Sequence, residues 1–474
     1  MSIPHGKFQP LFLAGVIIVC ANLLSCSAQT DNQQYLLVLE QYVTSPEPVY
    51  RLFTTSLDGS QLRQVIEFSS SSLYWLSPNG KRLGIFSPWG DSTLNMPAQS
   101  LFIFDVLSGE LIGQISDIGY LFPEIHRLYI SNNSVVWSPQ SDKLLYEKKA
   151  PNGSGSALWL YDVNTSSSFP ITDGKTIDRN VAWSLDSQHI AFTSGHPCHE
   201  ETPNDCPPGE RFWNIAVLNI ENKVQHIVTD FEDVELIPQR EEVIRFCNLV
   251  WSPDSQFIAF ENECDTNSIV NDHAVFVTSV DGTKFFQAAN GKELSDVNSS
   301  FNYSYEWSLS SEKLYVGYSR TEYLEPMSGY GGFIVKDVNS LDSTRSVEIL
   351  GMKAGTTSWS GDKQKIVIFT DRFKIDTTMP GPTLIGALSE DGTLTIEGAS
   401  ANLPYGSCYD QMVQWSSDSQ ILAYTMGISG GVCGNELEGR GVAVTTLHTA
   451  QTINAVESND QGLYKPIGWL EIVR

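Results

Sequence analysis

One five-residue phrase recurs along the chain, and it restricts the possible folds more than any other feature of the sequence. Trp137-Ser-Pro-Gln-Ser, Trp183-Ser-Leu-Asp-Ser, Trp251-Ser-Pro-Asp-Ser, Trp307-Ser-Leu-Ser-Ser, Trp359-Ser-Gly-Asp-Lys and Trp415-Ser-Ser-Asp-Ser share order and chemistry. Leu76-Ser-Pro-Asn-Gly is an earlier copy with Leu in place of Trp. Apolar or β-branched residues precede the Trp, as at Val135-Val136 and Leu249-Val250. A β-prone stretch follows it, as at Leu144 to Tyr146, Ile258 to Phe260 and Ile421 to Tyr424. The residues between are turn formers: Pro presets φ, while Asp, Asn and Ser hold a turn through their side chains. Each copy therefore predicts a strand, a tight turn and a second strand. Aspartates inside the phrase, such as Asp254, are turn formers rather than catalytic acids.

Two more strands complete each unit. A third is expected at Leu158-Trp-Leu-Tyr-Asp, Ile215-Ala-Val-Leu, Val275-Phe-Val-Thr and Val442-Ala-Val-Thr, and a fourth before the next Trp, as at Val224 to Val228. Four short antiparallel strands per repeat are the anatomy of a β-propeller blade, and the large Trp is expected to fill the space between neighbouring blades. The mean interval from Leu76 to Trp469 is about 56 residues, longer than compact propeller repeats. The stretch running from Trp469 to the end and on from Cys26 to Leu76 amounts to one further repeat. The expectation is an all-β propeller of about eight four-stranded blades, with seven as the alternative. Its ring would be closed by pairing Gly468-Trp469-Leu-Glu-Ile-Val with N-terminal strands at Leu36 to Leu39, Tyr50 to Thr54 and Leu62 to Ile66. The surplus length falls in loops, chiefly Gly195 to Arg211, Thr229 to Glu242 and Tyr318 to Gly332.

These Trp-Ser-Pro-Asp hairpins resemble the TolB-like family of propeller repeats, whose signature is Trp-Ser-Pro-Asp-Gly. They differ from the WD type, because no Trp-Asp dipeptide occurs. The resemblance extends from about Tyr35 to the end. The chain has no room for the additional N-terminal α/β domain of TolB itself, so the partner binding of TolB is not carried over.

The first residues carry a separate message. Lys7 precedes an apolar run from Leu11 to Leu24, the length of a signal-peptide core rather than a membrane span. Leu23-Leu24-Ser25-Cys26 resembles the bacterial lipobox, which implies lipidation of Cys26. The expected organisation is a signal peptide over residues 1–25, a polar tether over 26–34 and a single propeller over 35–474. That places the protein outside the cytoplasm, lipid-anchored to the cell envelope. Six further cysteines fall into near pairs, Cys198/Cys206, Cys247/Cys264 and Cys408/Cys433, which in an oxidising compartment suggests local disulfides.

The formal net charge is −26, with 29 Lys and Arg against 55 Asp and Glu. Nucleic acid is excluded as a partner, because a phosphate backbone is held by clustered cations. Basic partners and divalent cations would be attracted instead.

No catalytic constellation emerges. Gly427-Ile-Ser429-Gly-Gly431 matches the nucleophile-elbow pattern, but no helical period follows it as that elbow requires. His196, Cys198, His199 and Cys206 lie close together without the ligand spacing of a zinc site. His126, His189, His226, His273 and His448 are scattered singly, and none sits just before a repeat Trp. The reading is therefore no catalytic residue, no metal and no cofactor. Residues shortly before each Trp are expected at the mouth of a central channel; Arg179, Arg245, Tyr303, Tyr305, Asp410 and Gln411 are the binding candidates. The sequence points to a monomeric, membrane-tethered scaffold that binds a protein or peptide without chemistry. The alternatives are an enzyme acting on polysaccharide or peptide at the channel mouth and a small-ligand sensor.

Overall fold

The computed structural model describes residues 33–42, 48–116, 118, 135–149, 156–196, 213–229, 246–262, 273–294, 299–322, 329–350, 352–371, 380–389, 393–399, 413–425, 441–447, 451–456 and 462–472. Contacts divide the chain into a unit of Tyr35–Leu470, which holds the strands and their packing, and a second of Met1–Gln34 with Glu471–Arg474. Of the second, only Gln33, Gln34, Glu471 and Ile472 are described, as the ends of two strands.

Strands dominate the described residues: there are 32, beside one short helix at Gly291–Leu294. They fall into sets of four antiparallel strands, and we name each set after its repeat residue. The Trp251 set runs Phe246–Trp251, Phe257–Asn262, Ala274–Ser279 and Phe285–Asn290, each strand pairing with the next. The Trp307 set runs Ser299–Trp307, Lys313–Glu322, Gly329–Asp337 and Ser343–Leu350 in the same order. Sets beginning at Leu73–Leu76, Met352–Trp359 and Val413–Trp415 repeat the pattern. The Trp137 and Trp183 sets, which begin at Val135–Trp137 and Ile177–Trp183, merge into one eight-stranded sheet. A single parallel bridge between Ser156 and Ile177 joins them. In a further four-stranded sheet, Gly462–Ile472 lies beside Gln33–Tyr42, followed by Val49–Thr55 and Arg63–Ser69. The third of these N-terminal strands runs three residues past the expected Ile66. A bulge between Leu52 and Phe53 advances its register by one.

The core lies between the sets rather than within them. Ile177, Trp213, Ile215 and Val228 of the Trp183 set pack with Phe246, Trp251, Phe260 and Phe276 of the Trp251 set in one buried cluster. Val275, Val277, Phe286, Trp307, Leu314 and Val316 form the next, between the Trp251 and Trp307 sets. Middle strands are consequently buried on both faces, as at Ala274–Ser279. Outer strands such as Gln225–Ile227 are exposed. Each fully buried Phe, Leu or Val contributes about 1.5–3 kcal/mol.

The repeat Trp does more than fill space. Its indole N–H donates to the carbonyl of the residue just before the repeat residue of the preceding set. Trp137 reaches Trp75 O at 3.1 Å, Trp183 reaches Val136 O at 3.3 Å, and Trp251 reaches Ala182 O at 3.0 Å. Trp307 reaches Val250 O at 3.1 Å and Trp415 reaches Ser358 O at 3.2 Å. Leu76 has no such donor, and it packs against Gly468, where a Cβ would collide with its side chain. Trp469 has the donor, but its Nε1 is buried without a hydrogen-bond partner.

The turns interlock as well. Ser252, Ser360 and Ser416 each donate to the aspartate two residues on, Asp254, Asp362 and Asp418, at 2.6 Å. Each aspartate accepts from the amide two residues further, at 3.0–3.1 Å. The residue after the aspartate then turns left-handed, with φ of 59° at Ser255 and 58° at Ser419. A serine in that position also reaches the neighbouring set: Ser311 Oγ accepts from Asp254 N at 2.9 Å, and Ser419 Oγ from Asp362 N at 3.1 Å.

Candidate functional site

Two asparagines break the first strands of the Trp183 and Trp251 sets. Asn180 and Asn248, each three residues before its Trp, are left-handed, with φ of 51° and 54°. Pairing slips between Arg179 and Ala182 and again between Cys247 and Val250. Asn tolerates this backbone better than other non-glycine residues, and a bulge re-aims the side chains around it. Asn180 Nδ2 donates to Phe246 O of the next set at 3.0 Å and lies 3.3 Å from Thr193 Oγ1. Asn248 Nδ2 donates to Glu261 Oε1, and Asn248 O accepts the Tyr305 hydroxyl.

Ten residues after the repeat Trp, on the second strand, stand Glu147, Thr193 and Glu261 in three successive sets. Glu147 is 9% exposed and Glu261 4% exposed, so both carboxylates need partners. Arg179 Nε donates to Glu147 Oε1 at 3.0 Å, tying the Trp183 set to the Trp137 set. Glu261 Oε2 lies 2.8 Å from His273 Nε2, and His273 Nδ1 lies 2.9 Å from Phe301 O of the Trp307 set. The Tyr303 hydroxyl donates back to His273 O at 3.2 Å, and the two rings meet edge to face at 4.9 Å. Burial, and then the charge of Glu261, hold the Tyr305 hydroxyl well above the ordinary phenol range. It is therefore a neutral donor. Beside Arg179, buried Asp178 accepts from Thr176 Oγ1 at 2.8 Å and Ser194 Oγ at 2.7 Å. Burial pushes its carboxyl above the ordinary range, and these hydroxyls oppose that shift.

The result is a belt of polar contacts crossing four successive sets. Of the six candidates before the repeat Trp, Arg179, Tyr303 and Tyr305 belong to it. Arg245, Asp410 and Gln411 lie outside the described residues, as do Cys26, Cys198, Cys206, Cys264, Cys408, Cys433 and Gly427 to Gly431. Cys247 is buried in the bulged strand, opposite Glu261. His196 is exposed at a strand end. Among the described residues no group of three or more His, Cys, Asp and Glu is placed to hold a metal, and no helix is long and apolar enough to cross a membrane.

Sequence reasoning missed Glu147, Glu261 and His273. The carboxylates had a usable signal in their shared ten-residue offset from the Trp. His273 had none, because it stands just before a third strand, Ala274–Ser279, and reaches the belt only through folding.

No family model and no curated protein matches the chain. Solved structures do. Oligogalacturonate lyase in complex with manganese is 11% identical, with a TM-score of 0.48, covering 88% of this chain and 98% of its own. TolB from Acinetobacter baumannii is 11% identical, with a TM-score of 0.32 and coverage of 84% and 81%. Porphyromonas gingivalis dipeptidyl peptidase 4 is 9% identical, with a TM-score of 0.49; 89% of this chain matches 59% of that one. With identities of 9–11% and TM-scores below 0.5, nothing about the fold or function of this chain rests on these likenesses.

Proposed function

We propose that this chain is an eight-bladed β-propeller, lipid-anchored outside the cytoplasm through Cys26, that binds a protein or peptide partner without chemistry. The observation that carries the reading is the belt itself. Arg179, Glu147, Glu261, His273, Tyr303 and Tyr305 are all hydrogen-bonded to one another or to neighbouring backbone. Groups so engaged rigidify a surface, whereas a catalytic acid or base needs reach to a substrate proton. Rigid, fully engaged polar groups of this kind suit recognition rather than proton transfer. The net charge of −26 favours a partner with a basic face.

The blade count rests on the eight strand sets, and ring closure on the adjacency of Gly462–Ile472 and Gln33–Tyr42. A buried cluster joining Leu36 and Val38 to Val442 and Val444 also supports closure. For the local disulfides, the support is Cys247, which is disulfide-bonded to a partner outside the described residues. Cys264 is the partner this reading assigns to it, with Cys198–Cys206 and Cys408–Cys433 as the other pairs.

Proximity crosslinking of the lipidated protein in its native membrane, followed by mass spectrometry, tests the function. One or two reproducible partners, lost on reversing charges around the belt, are expected. Capture at background level only, together with turnover of a glycan or peptide by the purified chain, would overturn the reading in favour of an enzyme.

A further inference from the structure

Both nitrogens of the His273 ring face oxygen atoms that accept hydrogen bonds. Nδ1 lies 2.9 Å from Phe301 O, and a carbonyl oxygen has no hydrogen to give. Nε2 lies 2.8 Å from Glu261 Oε2, and the other oxygen of that carboxylate accepts from Asn248 Nδ2. Satisfying both contacts takes two protons within the pair, which an imidazolium facing a carboxylate supplies. Neutral imidazole beside a carboxylate has one too few. It would leave a lone pair against an oxygen, on a side chain only 16% exposed.

The two contacts belong to different strand sets. Glu261 is on Phe257–Asn262 of the Trp251 set, and Phe301 is on the first strand of the Trp307 set. We propose that Glu261 and His273 form a proton-operated latch between these two sets, closed while the ring carries both protons and released when one leaves to solvent. The titratable groups facing the ring among the described residues are Glu261 from the second strand of its own set and Tyr303 from the first strand of the next. Tyr305, from that same first strand, faces Glu261. Both tyrosines donate hydrogen bonds as phenols.

The sign comes from linkage. Above the ordinary imidazole range, near about 6.5, the unfolded chain binds fewer protons at this pair than the closed latch does. Stability of the interface therefore falls as pH rises.

The full chain labelled with 15N-histidine provides the test. At pH 7.5 one histidine should show protons on both ring nitrogens, and its signal should vanish in His273→Gln. Should that variant fail to fold, Glu261→Gln serves, because it should convert the same single histidine to a neutral ring. Raising the pH until that signal changes should reduce amide protection of Phe301–Trp307 at least tenfold, after correction for intrinsic exchange. A single protonated nitrogen on His273 at pH 7.5 would overturn the proposal. So would unchanged protection of that strand across its titration.

Discussion

Replacing Trp307 and Trp469 separately by Phe isolates what the indole N–H contributes. Trp307 is 1% exposed and donates to Val250 O across the interface. The substitution removes one hydrogen bond, worth about 1 kcal/mol net. It also leaves a void where the second ring was, worth about 1–2 kcal/mol at ~24 cal/mol per Å3 of cavity. Trp307→Phe should therefore cost about 2–3 kcal/mol. At Trp469, whose side chain is only partly buried, the void is no larger, and no hydrogen bond is lost, because Nε1 is buried without a partner. Deleting that N–H also relieves a desolvation cost of about 1–3 kcal/mol, which offsets the void. Trp469→Phe should lie near zero, and the two variants should differ by roughly 2 kcal/mol. Equilibrium urea unfolding followed by far-UV circular dichroism reads this directly, as a shift in midpoint with unchanged slope. Equal costs at the two positions would refute the reasoning, because they would mean that the indole contributes as bulk alone.

Two further outcomes are expected of the belt. Arg179→Ala should destabilise by up to about 3 kcal/mol, because it removes a charge-assisted hydrogen bond from a carboxylate that is 11% exposed. Adding Glu147→Gln should recover part of that loss, and a double-mutant cycle showing no coupling would count against the pair. Asp178→Asn should stabilise the protein at neutral pH. Burial raises the native carboxyl above its ordinary value of 3.8, so its stability contribution is complete below that pH and lost as pH rises through the native value. Asn does not titrate, so the gap between variant and wild type should close on acidification; thermal melts between pH 4 and pH 8 would show it. A gap that stays constant with pH would rule out the carboxyl as its source.

The strand sets were legible because their code is local. Ser252, Pro253 and Asp254 make the turn within five residues, and the structure adds only that Ser255 is left-handed and that Asp254 N is held by Ser311 of the next set. The belt was half legible. Arg179, Tyr303 and Tyr305 are readable from their place before a Trp, and Glu147 from its offset after one, but His273 is not, because it meets its partners only through packing between sets. That division bears on where function resides. Residues that repeat, Trp, Ser and Asp, are consumed in holding one set to the next, and all but Trp469 among those described above spend their polar atoms there. Residues that differ from set to set at the start of the first strands, Arg179, Asn248 and Tyr303, have no packing reason to be polar. They end in contacts that set four successive strand sets apart from a plain repeat. An interface built from repeats recognises nothing in particular; a belt with its own charges can. If the partner binds this protein through that belt, charge reversal at Arg179 should weaken binding more than any change in the Trp-Ser turns of equal cost in stability.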